Sequence, residues 1–103
     1  MKPSTSAAVH QLADLLVRLA VMIEQGQPAS PVQHILADAQ EQCEQAAVKA
    51  PDYLKTMLTN FMDALRAWYN VWPVMGARPE FRQAVSREAR QWAHRVLEPP
   101  PKS

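Results

Sequence analysis

The sequence predicts an all-α protein: one four-helix bundle of antiparallel hairpins, with an orthogonal four-helix array as the alternative. Prolines and glycines divide the chain into four segments of similar length. Within each segment, apolar residues recur at three- and four-residue spacing, which is the period of one helix face. Connections of about four residues favour antiparallel neighbours. With 103 residues, the chain has room for one domain only.

The first segment predicts a helix from about Thr5 to Gln25, preceded by a flexible N-terminus of residues 1–4. We expect Gly26 to take the left-handed position just after the helix, and Pro28 prevents the helix from continuing. The apolar face of this helix consists of Val9, Leu12, Leu16, Leu19 and Ile23.

The second helix is predicted over residues 31–50. Ser30 is the expected N-cap, with Pro31 at the first helical position and Gln33 completing a capping box. Pro51 ends the segment. Its narrow apolar stripe is rich in small side chains, which permit close helix packing: Val32, Ile35, Leu36, Ala39, Cys43, Ala46, Ala47 and Ala50.

The third helix is predicted over residues 53–72, with Asp52 as its cap and Pro73 as its end. Its apolar residues cover about half of the circumference, so it must touch more than one neighbour. Of these residues, we expect Tyr53 or Tyr69 to reach the surface. Because this helix holds most of the aromatic residues, an aliphatic layer should pack on an aromatic one. The apolar face comprises Tyr53, Leu54, Met57, Leu58, Phe61, Met62, Leu65, Trp68, Tyr69 and Trp72.

The fourth helix is predicted over residues 79–97, with Pro79 at its start and Glu80 in the first turn, where a carboxylate suits the helix dipole. Three prolines stop it and leave residues 99–103 as a Pro-rich tail. Its inner face is formed by Phe81, Val85, Ala89, Trp92 and Val96.

Composition and charge exclude several function classes. The formal net charge is +1, with −2 in residues 1–50 and +3 in residues 51–103, which is far from a dedicated nucleic-acid binder. A single cysteine, Cys43, excludes an intrachain disulfide and indicates a reducing compartment. Asp14 and Arg18 interrupt the first apolar stretch, so no secretory signal or membrane span is predicted. We therefore expect a cytoplasmic protein with no membrane contact.

Two histidine–carboxylate pairs invite a search for a metal site. His10 with Asp14, and His34 with Asp38, stand at i,i+4 spacing, which suits two metal ligands or an oriented base. Both pairs lie on polar helix sides, and an antiparallel hairpin separates them by on the order of 15–20 Å. The prediction is exposed helix pairs, with a metal site between chains as the alternative.

No motif indicates catalysis. Cys43 lies on an apolar helix side without a cation at helical spacing, so it should pack as a small hydrophobe. Glu41 and Glu44 stand outside the apolar stripe and should be solvated. The chain has no phosphate-binding glycine loop, nucleophile elbow, Cys-x-x-Cys pair or haem motif. We expect no enzymatic activity, no cofactor and no bound metal.

The fourth helix carries an arginine-rich side. Arg87, Arg90 and His94 converge there, while Arg78, Arg82 and Arg95 add charge around the helix. Such a surface can be simply solvated, can bind an acidic protein or can contact nucleic-acid phosphates and bases.

Apolar side chains outside the expected core mark the other candidate surface. Val17 and Val21 form an i,i+4 pair on the side of the first helix that should face water, and the apolar loop from Trp72 to Gly76 contributes Met75. The hypothesis is a non-enzymatic helical interaction module: an adaptor, assembly chaperone or inhibitor of a cytoplasmic protein. Its alternatives are self-association through the first helix and a nucleic-acid-binding regulator that uses the fourth. The candidate contacts are Val17, Val21, Trp72, Met75, Arg87 and Arg90.

Overall fold

The computed structural model describes residues 3–98, and the side chains from residue 7 onwards. It contains four α-helices, which confirms the predicted fold class: α1 (Pro3–Glu24), α2 (Ala29–Lys49), α3 (Asp52–Met75) and α4 (Pro79–Leu97). Residues 3 and 4 belong to α1 rather than to a flexible N-terminus. The expected Pro-rich tail, residues 99–103, lies outside the described residues.

The helices form an antiparallel four-helix bundle in which each helix packs on its neighbours in the chain and α1 also packs on α4. The longest dimension of the molecule is 42 Å. At 1.5 Å per residue, the 24 residues of α3 extend for about 36 Å. The helices thus run along the molecule, as in a bundle.

The core has an aliphatic and an aromatic part, as predicted. The contacts of α1 and α2 are aliphatic, whereas aromatic rings fill the space between α3 and α4. Phe61 stacks on Trp92 with ring centroids 4.4 Å apart, and Trp72 meets Phe81 at 5.8 Å. The α3 and α4 backbones approach each other least among the neighbouring pairs. The large rings between them account for this separation.

The end of α1 confirms the prediction for Gly26, whose φ is +76°. The Gly26 N–H donates to the Ile23 carbonyl at 3.1 Å, and the Gln27 N–H donates to the Met22 carbonyl, also at 3.1 Å. This is the paired hydrogen-bond pattern of a Schellman motif. A glycine takes the left-handed conformation without the steric cost that a Cβ would bring.

The predicted caps of α2 and α3 were wrong. The N-cap of α2 is Pro28 rather than Ser30, the N-cap of α3 is Pro51 rather than Asp52, and neither helix has a side-chain cap. Both prolines have extended ψ values, 169° and 162°, so the chain turns into the helix directly after them. Ser30 and Asp52 are therefore already helical. The Asp52 carboxylate lies in the first turn, where the helix dipole favours it.

The third helix does not stop at Trp72, contrary to the prediction from Pro73. It continues to Met75. Proline has no N–H and leaves the Tyr69 carbonyl without its helical donor. The Gln33 side chain, on α2, donates to that carbonyl at 3.4 Å and replaces the missing bond. The segment expected to be an apolar loop is thus largely the last turn of α3.

Candidate protein-binding groove

An open groove of about 320 Å³ runs between α1 and α4. We call it the α1–α4 groove. It arises because α1 and α4 are antiparallel, which places the middle of α1 beside the second half of α4. Its lining residues are Ala13, Asp14, Val17, Arg90, Ala93, His94 and Leu97.

Small side chains form the floor of the α1–α4 groove and larger apolar ones stand beside it. Ala13 and Ala93 are buried between the helices. Val17 is 41% exposed and Leu97 is 46% exposed, although both are large and apolar. An alanine fills less of the space between two helices than a leucine, so the helix surfaces remain indented there. The result is an apolar depression with an apolar side chain from each helix.

An ion pair connects the two helices at this groove. Arg90 donates from Nε to Oε2 of Glu24 at 3.0 Å and from Nη2 to Oε1 at 2.7 Å. These hydrogen bonds hold the pKa of the Glu24 carboxyl below its ordinary value and raise the pKa of the Arg90 guanidinium. The bidentate geometry fixes the Arg90 side chain. Asp14 and His94 are exposed and add polar groups to the rim.

The predicted contact residues fall into two groups. Val17 and Arg90 line the α1–α4 groove together. Val21 is half-buried one turn further along α1, and Arg87 is exposed one turn before Arg90. Val17, Val21, Arg87 and Arg90 thus lie on the two helices that form the groove.

Trp72 and Met75 lie elsewhere, on α3. Trp72 is completely buried, so its prediction as a surface contact was wrong. The reason is the continuation of α3 through Pro73, which keeps Trp72 on the core side of the helix beside Phe81. Met75 is half-buried in the last turn of α3 and does not line the groove.

Leu97 was not predicted to be part of this site. It follows Ala93 by four residues and so continues the same side of α4. That spacing was visible in the sequence. The pairing of α1 with α4, which brings Leu97 close to Val17, was not.

Several arginines of the fourth helix are engaged within the fold. Arg82 donates from Nη1 to the Gly76 carbonyl at 2.8 Å, and from Nη2 to the carbonyls of Ile23 at 3.1 Å and Gln27 at 3.0 Å. The Arg95 guanidinium lies over the Trp92 ring at 5.1 Å from its centroid. These contacts and the Glu24 pair leave the arginine-rich side with fewer uncommitted cations than the sequence indicated.

Within residues 7–98, no group of three or more His, Cys, Asp or Glu side chains is arranged to hold a metal ion. His10, Asp14, His34 and Asp38 are all exposed, as predicted for two solvated pairs. Glu41 and Glu44 are exposed as well.

Cys43 is packed in the core, as predicted. Its thiol donates to the Leu58 carbonyl at 3.2 Å, and burial raises its pKa to about 12. The thiol therefore remains protonated at neutral pH, which is the opposite of what a nucleophilic cysteine requires.

No helix in the part of the chain that the structure describes combines the length and the apolar character of a bilayer-crossing segment. Comparison with known proteins found no match: no family model, no curated protein and no solved structure matches this chain.

Proposed function

We propose that this chain is a non-enzymatic helical interaction module, an adaptor, assembly chaperone or inhibitor, that binds a cytoplasmic protein through the α1–α4 groove. The observation that carries this proposal is the exposure of Val17 and Leu97 on both sides of an alanine floor. Exposed apolar side chains that share one depression commonly mark association sites.

An amphipathic helix is the partner element that suits this shape. A groove between two antiparallel helices is long and narrow, and a third helix can lay its apolar side into it. Apolar anchors of the partner would contact Val17 and Leu97. Polar residues of the partner helix would contact Asp14 and His94 on the rim. Such polar contacts would determine the orientation of the partner helix more than its affinity.

The test is affinity capture from native lysate with the unmodified chain, Val17→Glu and Val48→Glu, followed by mass spectrometry. Val48 is a matched control, because it is a valine that is 70% exposed on α2, outside the groove. Thermal unfolding of both variants establishes that they remain folded. We expect one protein to be recovered near one-to-one with the unmodified chain and with Val48→Glu, and to be lost with Val17→Glu.

A parallel sample treated with nuclease separates the proposal from its alternative. Recovery that is unchanged by nuclease supports a direct protein contact. Recovery that collapses after nuclease would contradict the proposal and favour nucleic-acid binding through α4. In that case, binding should weaken steeply with salt and should be lost in the double variant Arg87→Ala, Arg90→Ala. Equal recovery with Val17→Glu would exclude the α1–α4 groove as the binding site.

A further inference from the structure

A second apolar seam runs along α3, beside its buried face. Its residues follow one another at alternating spacings of four and three, the heptad pattern of a coiled-coil contact. At about 100° per residue, they fall within about 100° of the helix circumference. We call this set the α3 stripe; it consists of Tyr53, Met57, Asn60, Ala64, Ala67, Val71 and Val74.

The α3 stripe is largely exposed. Val74 is 73% exposed, and Tyr53 and Val71 are among the few other large apolar side chains that are more than a third exposed. Asn60 and Ala67 are also exposed. A heptad seam that faces the core would be buried, whereas here the fully buried residues of α3, such as Leu58 and Leu65, lie outside the stripe. Within the stripe, Met57 and Ala64 are half-buried and pack against the edge of the core.

We propose that the α3 stripe is the interface of an antiparallel dimer, in which α3 packs against α3 of a second copy. The distribution of side-chain sizes along the stripe is the first argument, because large side chains stand at both ends and alanines near the middle. With the two-fold axis at Ala64, Met57 faces Val71 of the second copy, and Tyr53 comes within about one residue rise of its Val74. Small alanines occupy the middle and larger side chains both ends. The alanines permit a short interaxial distance, and the ends interlock.

Polar residues agree with the same alignment. Asn60 comes within about one residue rise of Ala67 of the second copy. A single polar residue at a heptad position commonly fixes register and oligomeric state. Asp63 lies beside the middle of the stripe, and Arg66 lies further round the helix on the same side. Both are well exposed, with 3.8 Å between Asp63 Oδ1 and Arg66 Nη1. In the antiparallel pair, Asp63 comes within about one residue rise of the second copy's Arg66. The two-fold axis therefore generates two such contacts between copies, each bringing Asp63 of one copy near Arg66 of the other.

The expected size of the contact indicates a weak dimer. A strip about 36 Å long and 12 Å wide, the length and diameter of α3, covers roughly 900 Å² over the two copies. This lies at the lower end of specific interfaces, where association is transient. A dissociation constant in the micromolar range is expected, so the mass should depend on concentration.

Sedimentation equilibrium between about 1 µM and 1 mM tests the proposal. We expect the mass of the unmodified chain to rise from 11.6 kDa towards twice that value. Val71→Glu and Val74→Glu should remain monomeric, because each places a carboxylate in the contact. Val48→Glu should dimerise like the unmodified chain. A chain that stays monomeric throughout, or a dimer that survives both stripe variants, would overturn the proposal.

Cross-linking tests the antiparallel arrangement itself. Ala64 is the stripe residue that faces the same residue of the second copy, so Ala64→Cys should yield a covalent dimer on mild oxidation. Ala37→Cys is the control, since Ala37 is an exposed alanine on α2. Cys43 does not interfere, because it is buried. Equal cross-linking of the two variants would refute the alignment. None of these variants alters the α1–α4 groove, so the outcome is independent of the proposed function.

Discussion

Arg82 connects three segments that are distant in sequence, and its replacement should destabilise the bundle. The guanidinium binds one carbonyl at the end of α1, one in the α1–α2 connection and one just after α3. It also lies 5.5 Å from the centroid of the Trp72 ring. We predict that Arg82→Met, which keeps much of the side-chain volume, lowers the free energy of unfolding by about 3 kcal/mol.

This magnitude follows from the hydrogen bonds. Each bond to a charged group contributes about 1.5–3 kcal/mol. Two of the three share Nη2, and Arg82 is only half-buried, so water can replace part of them. The free energy that the three hydrogen bonds contribute together should therefore be close to that of one strong bond. A loss of about 3 kcal/mol should lower the Tm of a domain of this size by about 12–24 °C.

The assay is urea unfolding followed by circular dichroism, with Arg87→Met as the matched control. Arg87 is exposed on the same helix and has no ion-pair or hydrogen-bond partner among residues 7–98, so its variant should lie within about 0.5 kcal/mol of the unmodified chain. Arg82→Lys should recover only part of the loss, because one ammonium group cannot reproduce the fork of donors. Equal stability of the Arg82→Met and Arg87→Met variants would refute the reasoning. Full recovery with lysine would show that charge at the end of α1, rather than the fork, is responsible.

Three further predictions concern single positions. Gly76→Ala should lower the free energy of unfolding by about 1–3 kcal/mol, because a Cβ would lie 2.8 Å from Cε2 and Nε1 of the buried Trp72. The backbone of Gly76 is right-handed helical, so its φ adds no strain. An unchanged midpoint in urea unfolding would contradict this. Cys43 should resist labelling by a disulfide reagent at pH 8 and react fully in denaturant, and rapid labelling of the native chain would disprove its burial. Because its pKa is raised to about 12, its contribution to stability should decline as pH rises above about 8.5. The pKa of Glu24 is lowered by Arg90, so the pair stabilises above the unfolded pKa of about 4.3 and loses its effect as pH falls through the folded value. The Tm difference between the unmodified chain and Glu24→Gln should therefore vanish at low pH, and a difference that persists there would show that it does not come from the ion pair.

The helices and their buried faces could be predicted because helical periodicity is a local property of the sequence. Gly26 behaved as expected for the same reason, since its conformation depends on the residues next to it. Pro73 did not, because the donor that replaces its missing N–H comes from Gln33, on another helix. A proline near the end of a helix removes one bond only, and a tertiary contact can supply it.

The candidate site was predictable only in part. Val17 was identified because helical spacing in the sequence shows that this apolar residue lies outside the core face of the first helix. Leu97 requires knowledge that α1 and α4 are neighbours. Arg82 resembled any other arginine in the sequence, yet its acceptors at Ile23 and Gln27 are 59 and 55 residues away. Polar contacts over such distances leave no local pattern.

Two polar contacts between α2 and α3 have a consequence for the order of folding. Gln33 binds the Tyr69 carbonyl and Cys43 binds the Leu58 carbonyl, so both define one alignment of the two helices. The short connection between these helices makes their pairing inexpensive in chain entropy. Docking of α1 on α4 closes the longest loop of the bundle, so we expect it to complete folding. The α1–α4 groove then exists only in the finished fold, and a nascent chain that has not yet docked α4 would offer the proposed partner no binding site.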